Sequence, residues 1–572
     1  MTFELDTSQR TAVDIAPEDR QIVLAGPGAG KSEVVGALAA HLVEDDEVDP
    51  DQILVISFSR AAVDVVEQRT AEVVDEGETV EVRTIDSLAH EVIVELSDDE
   101  PAFRGYDKAI QQATELLRDS DEPVFDNLRH VVIDEVQDVV GIRADFVLML
   151  LRRGVATDTG FTLLGDTMQA LYDFQLTKEH PKTCFDLLQS IKGSFDPRVV
   201  ELNCDHRSRT DTARAISGVR SELLNLVAMP RLRRLQAALA DISPLGDFDQ
   251  DAVETVAAWS GRTAFLCDTN ARAALTAQRL SEFGLRSETA TSVLDAGLPP
   301  WIARALADHE SDTIEFDEFT GLAEGSGCPD PVASWRLARS LDHSGSALSI
   351  PRLAAALNSP RGRGLFRRTP QSPVLVSTVH RAKGLEFDNV VLVDPNDWSW
   401  DDDTDRASTM LYVAMSRAYA RVTTVDGISS QQWHRREDAA RAIWTREPWR
   451  KRGLLGFLVE PWMARDLGPA ECRLDDVVGQ PVSWEEGESF LLDGDEIPSW
   501  VATVGDSAVA KTGAELGQFI TRKIFGSVTP TFRGARVDGL ETAVGAPRQD
   551  ALGRHGMWLA ARLSGPVELD WK

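Results

Sequence analysis

Two short segments carry the residue types that handle phosphate. Ile22 to Ser32 reads IVLAGPGAGKS, an apolar strand, a glycine-rich turn, then Lys-Ser opening a helix. Gly26, Gly28 and Gly30 let the backbone curl so that its N–H groups and the helix N-terminus face an anion. Pro27 and Ala29 complete the loop, and Ala25 stands where the usual pattern has its first glycine. Lys31 would bridge the β- and γ-phosphates, and the Ser32 hydroxyl would hold Mg²⁺. Val131 to Asp138 reads VVIDEVQD, a second apolar strand that ends in acids. Asp134 is placed to hold Mg²⁺ through water, and Glu135 beside it to polarise an attacking water. Asp-Glu after a hydrophobic strand is common by itself. With a phosphate loop upstream on a parallel neighbour, the pair points to hydrolysis of a nucleoside triphosphate.

Positioning these residues requires a parallel sheet. The first two hundred residues alternate apolar runs with amphipathic segments, the βα pattern of a sheet covered by helices. Candidate strands are Gln21 to Ala25, Ile53 to Ser57, His130 to Ile133, Phe161 to Leu164 and Val199 to Leu202. The same grammar returns at Thr263 to Leu266, Val374 to Ser377, Val390 to Val393 and Arg421 to Val425. Between these, the stretch from about 289 to 373 reads as helical patches broken by Pro and Gly. After Arg452 the short pieces Val477 to Trp484, Ser489 to Leu492 and Trp500 to Val504 predict a β-rich module.

Composition bounds the partners. The chain has 572 residues with 93 acidic and 59 basic side chains, a net charge of −34, and 43% hydrophobic residues. At about 100 to 200 residues per domain this is a globular protein of several domains. The acid excess argues against non-specific coating of nucleic acid, which needs a basic surface to displace counterions. The basic residues divide into 49 Arg and 10 Lys. Five cysteines, Cys184, Cys204, Cys267, Cys328 and Cys472, form no Cys-x-x-Cys pair, so neither a zinc ribbon nor a disulfide framework is expected. Met1 to Arg20 lacks the apolar segment of a signal peptide, and no stretch approaches a spanning helix; a soluble, cytoplasmic protein without a membrane partner is expected.

With Gln137 and Asp138 included, the second phosphate segment resembles the DExQD box of superfamily 1 helicases. Other segments are similar to that family in order. Ser8-Gln9-Arg10 resembles its Q motif, which implies that Gln9 reads adenine. Ser57-Phe58-Ser59-Arg60-Ala61-Ala62 and Arg83 to Ala89 resemble the two segments that follow. Gly165 to Phe174 resembles motif III, with Gln169 sensing the γ-phosphate, and Asn203 to Ser208 resembles motif IV, with Arg207 as an arginine finger. Ser377 to Phe387, which reads STVHRAKGLEF, resembles motif V, and Tyr412 to Ala418 resembles motif VI, with Arg417 as the second finger.

The wording of motifs III, V and VI is that of the UvrD/Rep/PcrA branch. This resemblance implies an α/β fold with two RecA-like P-loop NTPase domains, short helical insertions and a β-rich C-terminal domain. The expected boundaries are 1–209, with an insertion at about 91–129; 210–452, with the insertion at about 289–373; and 453–572. It implies an ATP-dependent DNA helicase or translocase running 3′ to 5′ on single strands and at single-strand/duplex junctions, in repair or recombination. Its cofactors would be ATP and Mg²⁺. The nucleotide would be held by the loop from Ala25 to Ser32 together with Gln9, Arg10, Glu33 and Glu386. Lys31, Asp134, Glu135, Gln169, Arg207 and Arg417 would carry hydrolysis, the two arginines coming from or bordering the second domain. Phe58, Tyr172, Phe174 and His380 would contact DNA, the aromatics by sequence-tolerant stacking.

Departures from the family are specific. His206 stands where an adenine-stacking Tyr is usual, and Glu33 where an Arg is frequent. Asp86 replaces a polar residue near the DNA and is expected to cap the following helix. Arg361, Arg363, Arg367 and Arg368 form a basic turn, either phosphate-binding or simply solvated. Arg536-Val537-Asp538-Gly539 and Asp570-Trp571-Lys572 have a faint likeness to a RecB-type nuclease metal cluster, but the nuclease helix that should follow Lys572 has no room. A helicase–nuclease and a nucleotide-gated scaffold in a repair or defence complex are the alternative readings. A binding or docking module is expected from residue 453 onward.

Overall fold

The computed structural model describes the chain except residues 1–3, 45–47, 57–79, 98–105, 172–175, 291–296, 343–346, 367, 369–371, 399–402, 437–442, 448–453, 465–472, 493, 524–528, 546–553 and 571–572. The described chain forms two compact units. The first comprises Met1–Ile242, Lys383–Glu386 and Trp400–Val422; the second comprises Ser243–Ala382, Phe387–Ser399 and Thr423–Lys572.

The first unit is built on six strands, β1 (Arg20–Ala25), β2 (Ile53–Ile56), β3 (Glu81–Arg83), β4 (His130–Ile133), β5 (Gly160–Gly165) and β6 (Arg198–Leu202), in the order β3-β2-β4-β5-β1-β6. Every pairing in it is parallel. Successive residues of a strand face opposite sides of the sheet. Ile22, Leu54, Val131 and Leu163 accordingly enter one core, and their neighbours Val23, Val55, Val132 and Leu164 enter another. Burial on both faces is why these strands read as continuous apolar runs rather than alternating ones. The order also decides the site: β4, β5 and β1 are adjacent and parallel, so their carboxyl ends open side by side, where α/β sheets bind ligands.

In the second unit, β7 (Thr263–Cys267) and β8 (Glu288–Thr289) precede a helical segment that contains the antiparallel pair β9 (Thr313–Ile314) and β10 (Leu348–Ser349). This segment packs around Trp301, Phe319 and Phe366, in a core that also takes in Met557. The chain returns through β11 (Val374–Thr378) and β12 (Phe387–Val393), and β13 (Ala418–Val425), which belongs to this unit from Thr423 onward, gives the sheet order β13-β12-β7-β11-β8.

The remaining strands are β14 (Trp433–Arg436), β15 (Ile443–Arg446), β16 (Gly456–Val459), β17 (Pro481–Leu492), β18 (Asp495–Val504), β19 (Ser507–Lys511), β20 (Thr531–Val544) and β21 (Met557–Asp570). They form one antiparallel sheet, β14-β15-β16-β21-β20-β17-β18-β19. Trp500 and Phe532 stack at its centre with ring centroids 4.1 Å apart, and the Trp500 indole N–H donates to Pro530 O at 3.0 Å. Among the described residues no helix is long and apolar enough to cross a membrane.

Two sequence expectations are corrected here. The helix Ile85–Leu96 is capped by Thr84, whose hydroxyl accepts from Ser87 N at 3.2 Å, and not by Asp86. Asp86 lies in the first turn and pairs with Arg143 at 3.3 Å, because Thr84 already occupies the extended position a cap requires. The basic turn is neither of the two alternatives at Arg368: that guanidinium pairs with Glu288 and donates through Nε to Leu540 O at 2.8 Å. Arg363 is exposed and donates to Asn358 Oδ1 at 3.1 Å, whereas Arg367 and the side chain of Arg361 lie outside the described residues.

Candidate active site

The phosphate loop leaves the end of β1 and enters the helix Lys31–Glu44. Gly28 and Gly30 take φ of 73° and 76°, a region that favours glycine. A Cβ on Gly28 would lie 2.7 Å from Arg207 Cβ, so the loop is also packed too closely for a larger residue. His206 N donates to Gly28 O at 2.9 Å, tying the segment after β6 to the loop. Lys31, Ser32 and Glu33 are half-buried in the first turn, and Ala25, Gly26, Pro27 and Ala29 are buried.

Gln9 sits on the helix Thr7–Val13 and is fully buried. Its Nε2 donates to Ala29 O at 3.0 Å, and its Oε1 accepts from Asp6 N at 3.0 Å. The amide therefore clasps the phosphate loop as part of a capping box, which uses one of its donors and one of its acceptor positions. Arg10 is exposed one residue further on. Asp6 accepts from His206 Nε2 at 2.7 Å, and although burial raises its carboxyl, hydrogen bonds from Ser8, Gln9 and His206 hold it far below the usual range.

At the end of β4, Asp134 is buried and Glu135 takes φ 54°, ψ 43°, an uncommon left-handed conformation for a non-glycine residue. Glu135 N donates to Asp134 Oδ1 at 2.9 Å, and Gln137 Nε2 donates to the Glu135 carboxylate. Gln137 Oε1 in turn accepts from Asp166 N at 3.0 Å, linking the ends of β4 and β5. Burial and the adjacent Glu135 charge push the Asp134 carboxyl up to about 7, against the pull of Lys31. Burial also raises Glu135, but Lys31, Lys383, Gln137 and Arg417 outweigh it and hold that carboxyl below its ordinary value. Two adjacent acids are thus driven apart, one raised above and one held below its ordinary value. The hydroxyl of Ser32 and the carboxylate of Asp134 are hard oxygen donors suited to Mg²⁺.

At the end of β5, Asp166 anchors a buried network. Its Oδ1 accepts from Met168 N and Arg220 Nε, each at 3.1 Å; its Oδ2 accepts from Gln169 Nε2 at 3.0 Å and Tyr412 OH at 3.3 Å. The Arg417 guanidinium donates to Gln169 Oε1. Lys383 Nζ pairs with Asp138 and donates to Gln169 O at 2.8 Å. Arg207 pairs with Glu386, whose other oxygen accepts from Tyr419 OH at 2.6 Å. Arg207 and Arg417 both fall in the first unit, since Trp400–Val422 belongs to it.

The expected site residues therefore divide into clear groups. Lys31, Asp134, Glu135, Gln169 and Arg417 converge on one electrostatic network, and Arg207 with Glu386 forms a second pair. His380 is half-buried in the turn after β11. Phe58, Tyr172 and Phe174 lie outside the described residues. Sequence reasoning did not single out Asp166, Arg220, Tyr412 or Lys383. Asp166, Tyr412 and Lys383 lie inside the segments read as motifs III, VI and V, whereas Arg220 sits on an ordinary amphipathic helix with no local signal.

Comparison with known proteins adds two domain matches. Residues 5–104 match the UvrD/REP helicase N-terminal domain and residues 373–425 the UvrD-like helicase C-terminal domain. DNA helicase IV of Escherichia coli (strain K12) is 36% identical over 89 residues, 16% of this chain and 13% of that protein. YjcD of Bacillus subtilis (strain 168) is 39% identical over 67 residues, 12% of this chain and 9% of that protein. The chain thus aligns with only a small part of each relative. A solved unliganded Pif1 from Bacteroides sp shares 13% identity at a TM-score of 0.36, over 75% of this chain and 94% of that one.

Proposed function

We propose, on the premise that the chain belongs to the UvrD-like superfamily 1 helicases, that it is an ATP-dependent DNA helicase or translocase working on single-stranded DNA and single-strand/duplex junctions. The 3′ to 5′ direction, a role in repair or recombination and a cytoplasmic location follow the UvrD-like wording of the motifs and are part of this proposal.

The observation that carries it is the Arg417–Gln169–Asp166 chain beside Lys31, Asp134 and Glu135. Lys31 and the loop N–H groups would bind the phosphates. Ser32 and Asp134 would hold Mg²⁺, which when bound supplies charge neutralisation for the phosphate oxygens. Glu135, kept anionic, is the group suited to accept a proton from the attacking water. Arg417 and Arg207 would stabilise charge developing on the γ-phosphate, and Gln169 would relay its presence to the segment that runs on to Tyr172 and Phe174. His380, Phe58, Tyr172 and Phe174 would carry the strand by stacking and polar contact. Gln9, Arg10, Glu33 and Glu386 would border the nucleotide, with His206 in place of a stacking Tyr.

The decisive measurement is the ATPase rate with and without single-stranded DNA, for wild type and Glu135→Gln. Stimulation by DNA that disappears in the variant supports a motor. A rate indifferent to DNA in the wild type would remove it. Running the same assay on RNA separates the two polymers, because stacking reads both.

A further inference from the structure

Glu460 follows β16 and belongs to none of the segments that resemble helicase motifs. Its carboxylate accepts from Asn270 Nδ2 at 3.1 Å and from Arg381 Nη2 at 3.3 Å. Arg381 is the residue after His380, and its other arm donates to Ala290 O at 3.1 Å. Ala290 N donates to Val376 O of β11 at 2.8 Å, so the guanidinium bridges the edge of the parallel sheet and the antiparallel one. A second carboxylate from the antiparallel sheet, Asp538 of β20, accepts from Thr289 N at 3.3 Å. Asn270, Thr289, Arg381, Glu460 and Asp538 all line one small cavity of about 30 Å³.

The turn that carries His380 is held by Val379 N to Cys267 O and Ala382 N to Thr378 O, both at 3.0 Å, and by Arg381 N to Thr378 Oγ1 at 3.3 Å. These bonds fix its backbone at the two ends. The guanidinium of Arg381 ties the middle of the turn to structure outside it. The Arg381 and Glu460 side chains are 18% and 20% exposed, so water competes for their bond far less than at an open surface pair.

We infer that Glu460 is a positioning residue: through Arg381 it sets the turn that presents His380, so that the C-terminal sheet tunes how this segment meets single-stranded DNA. The DNA half of this inference rests on the motor reading above; the positioning half does not.

The test uses the full chain with Glu460→Ala and the milder Glu460→Gln, and an oligothymidylate as the DNA. Amide exchange in residues 379–382 is expected to quicken about tenfold in Glu460→Ala, the loss of one charge-assisted hydrogen bond, with β7 and β11 unchanged. The oligothymidylate concentration giving half-maximal ATPase should rise by a similar factor while DNA-free turnover stays at the wild-type rate. Glu460→Gln should fall between the two. Exchange in 379–382 unchanged from wild type would overturn the inference. A uniform loss of melting temperature and DNA-free turnover with unaltered half-activation would overturn it too, since that pattern is a merely structural contact. If oligothymidylate fails to accelerate the wild type, the motor reading falls, and the exchange comparison alone decides whether Glu460 sets the turn.

Discussion

The guanidinium of Arg417 donates to the side-chain carbonyl of Gln169, and both residues are buried. Gln169 also donates to Asp166, so the pair joins a candidate arginine finger to the end of β5. Replacing Arg417 by Ala should cost about 10³ to 10⁵ in turnover while nucleotide binding persists. Gln169→Ala removes the partner that aims the guanidinium and should lower turnover as well. Because the two act as a unit, the double variant should lose little more than Arg417→Ala alone. Single-turnover ATP hydrolysis of the four proteins checks this, and additive losses would show that the hydrogen bond does not couple them.

Gly28→Ala should fail for two reasons at once. The new Cβ meets Arg207 Cβ at 2.7 Å, and a φ of 73° is costly for alanine, about 1 to 3 kcal/mol. A lower melting temperature together with loss of binding to a fluorescent ATP analogue is the expected result.

His130 on β4 is fully buried between Pro17 O, at 2.7 Å from Nδ1, and Thr162 Oγ1, at 2.9 Å from Nε2. Burial depresses the imidazole to about 4 from an ordinary 6.5, against the Pro17 hydrogen bond. Between those values the unfolded chain binds a proton that the folded chain refuses, so stability falls as pH drops from 6.5 to 4. Above 6.5 this group contributes no pH dependence. The full effect is about 3 kcal/mol. His130→Gln, which cannot take up a proton, should flatten that part of the curve in denaturant unfolding measured across the window.

Asp538 belongs to the Arg-Val-Asp-Gly segment that has a faint nuclease likeness, yet it is buried, with Arg536 at 3.7 Å and Thr289 N at 3.3 Å. Asp570 lies opposite Thr531 at the start of β20, whereas Asp538 is mid-strand, roughly 20 Å further along by the usual rise per residue. Asp538→Ala should therefore destabilise the second unit by about 3 to 5 kcal/mol through the charges it leaves unpaired. Degradation of labelled single strands in Mg²⁺ that depends on Asp538 or Asp570 would contradict this.

The net charge of −34 makes salt a variable. Melting temperature should rise in KCl beyond the roughly 0.15 M at which exposed charges are already screened past about 8 Å. An unchanged or lower value in molar KCl would reduce the acid excess to ordinary solubilisation.

Strands and the glycine-rich turn were legible without coordinates because both are local. An apolar run between turns is a buried strand whatever its neighbours, and a glycine-rich turn before Lys-Ser curls around an anion by its own backbone. Hence His130 to Ile133 was read to the residue. The cap of the helix at Ile85 was misread because Thr84 and Asp86 both suit a cap, and only the backbone angle of Thr84 chooses between them.

Adjacency was not legible. That β5 lies between β4 and β1, that Gln9 spends its amide on Asp6 and Ala29, that Arg220 reaches Asp166, and that Glu460 holds Arg381 are all choices of tertiary structure. Gln9 and Ala29 are 20 residues apart, Arg220 and Asp166 are 54 apart, and Arg381 and Glu460 are 79 apart. Residue type tells which groups can ionise or donate. Which of them meet is decided by strand order and burial: burial raises both Asp134 and Glu135, and the cations around Glu135 hold that one below its ordinary value.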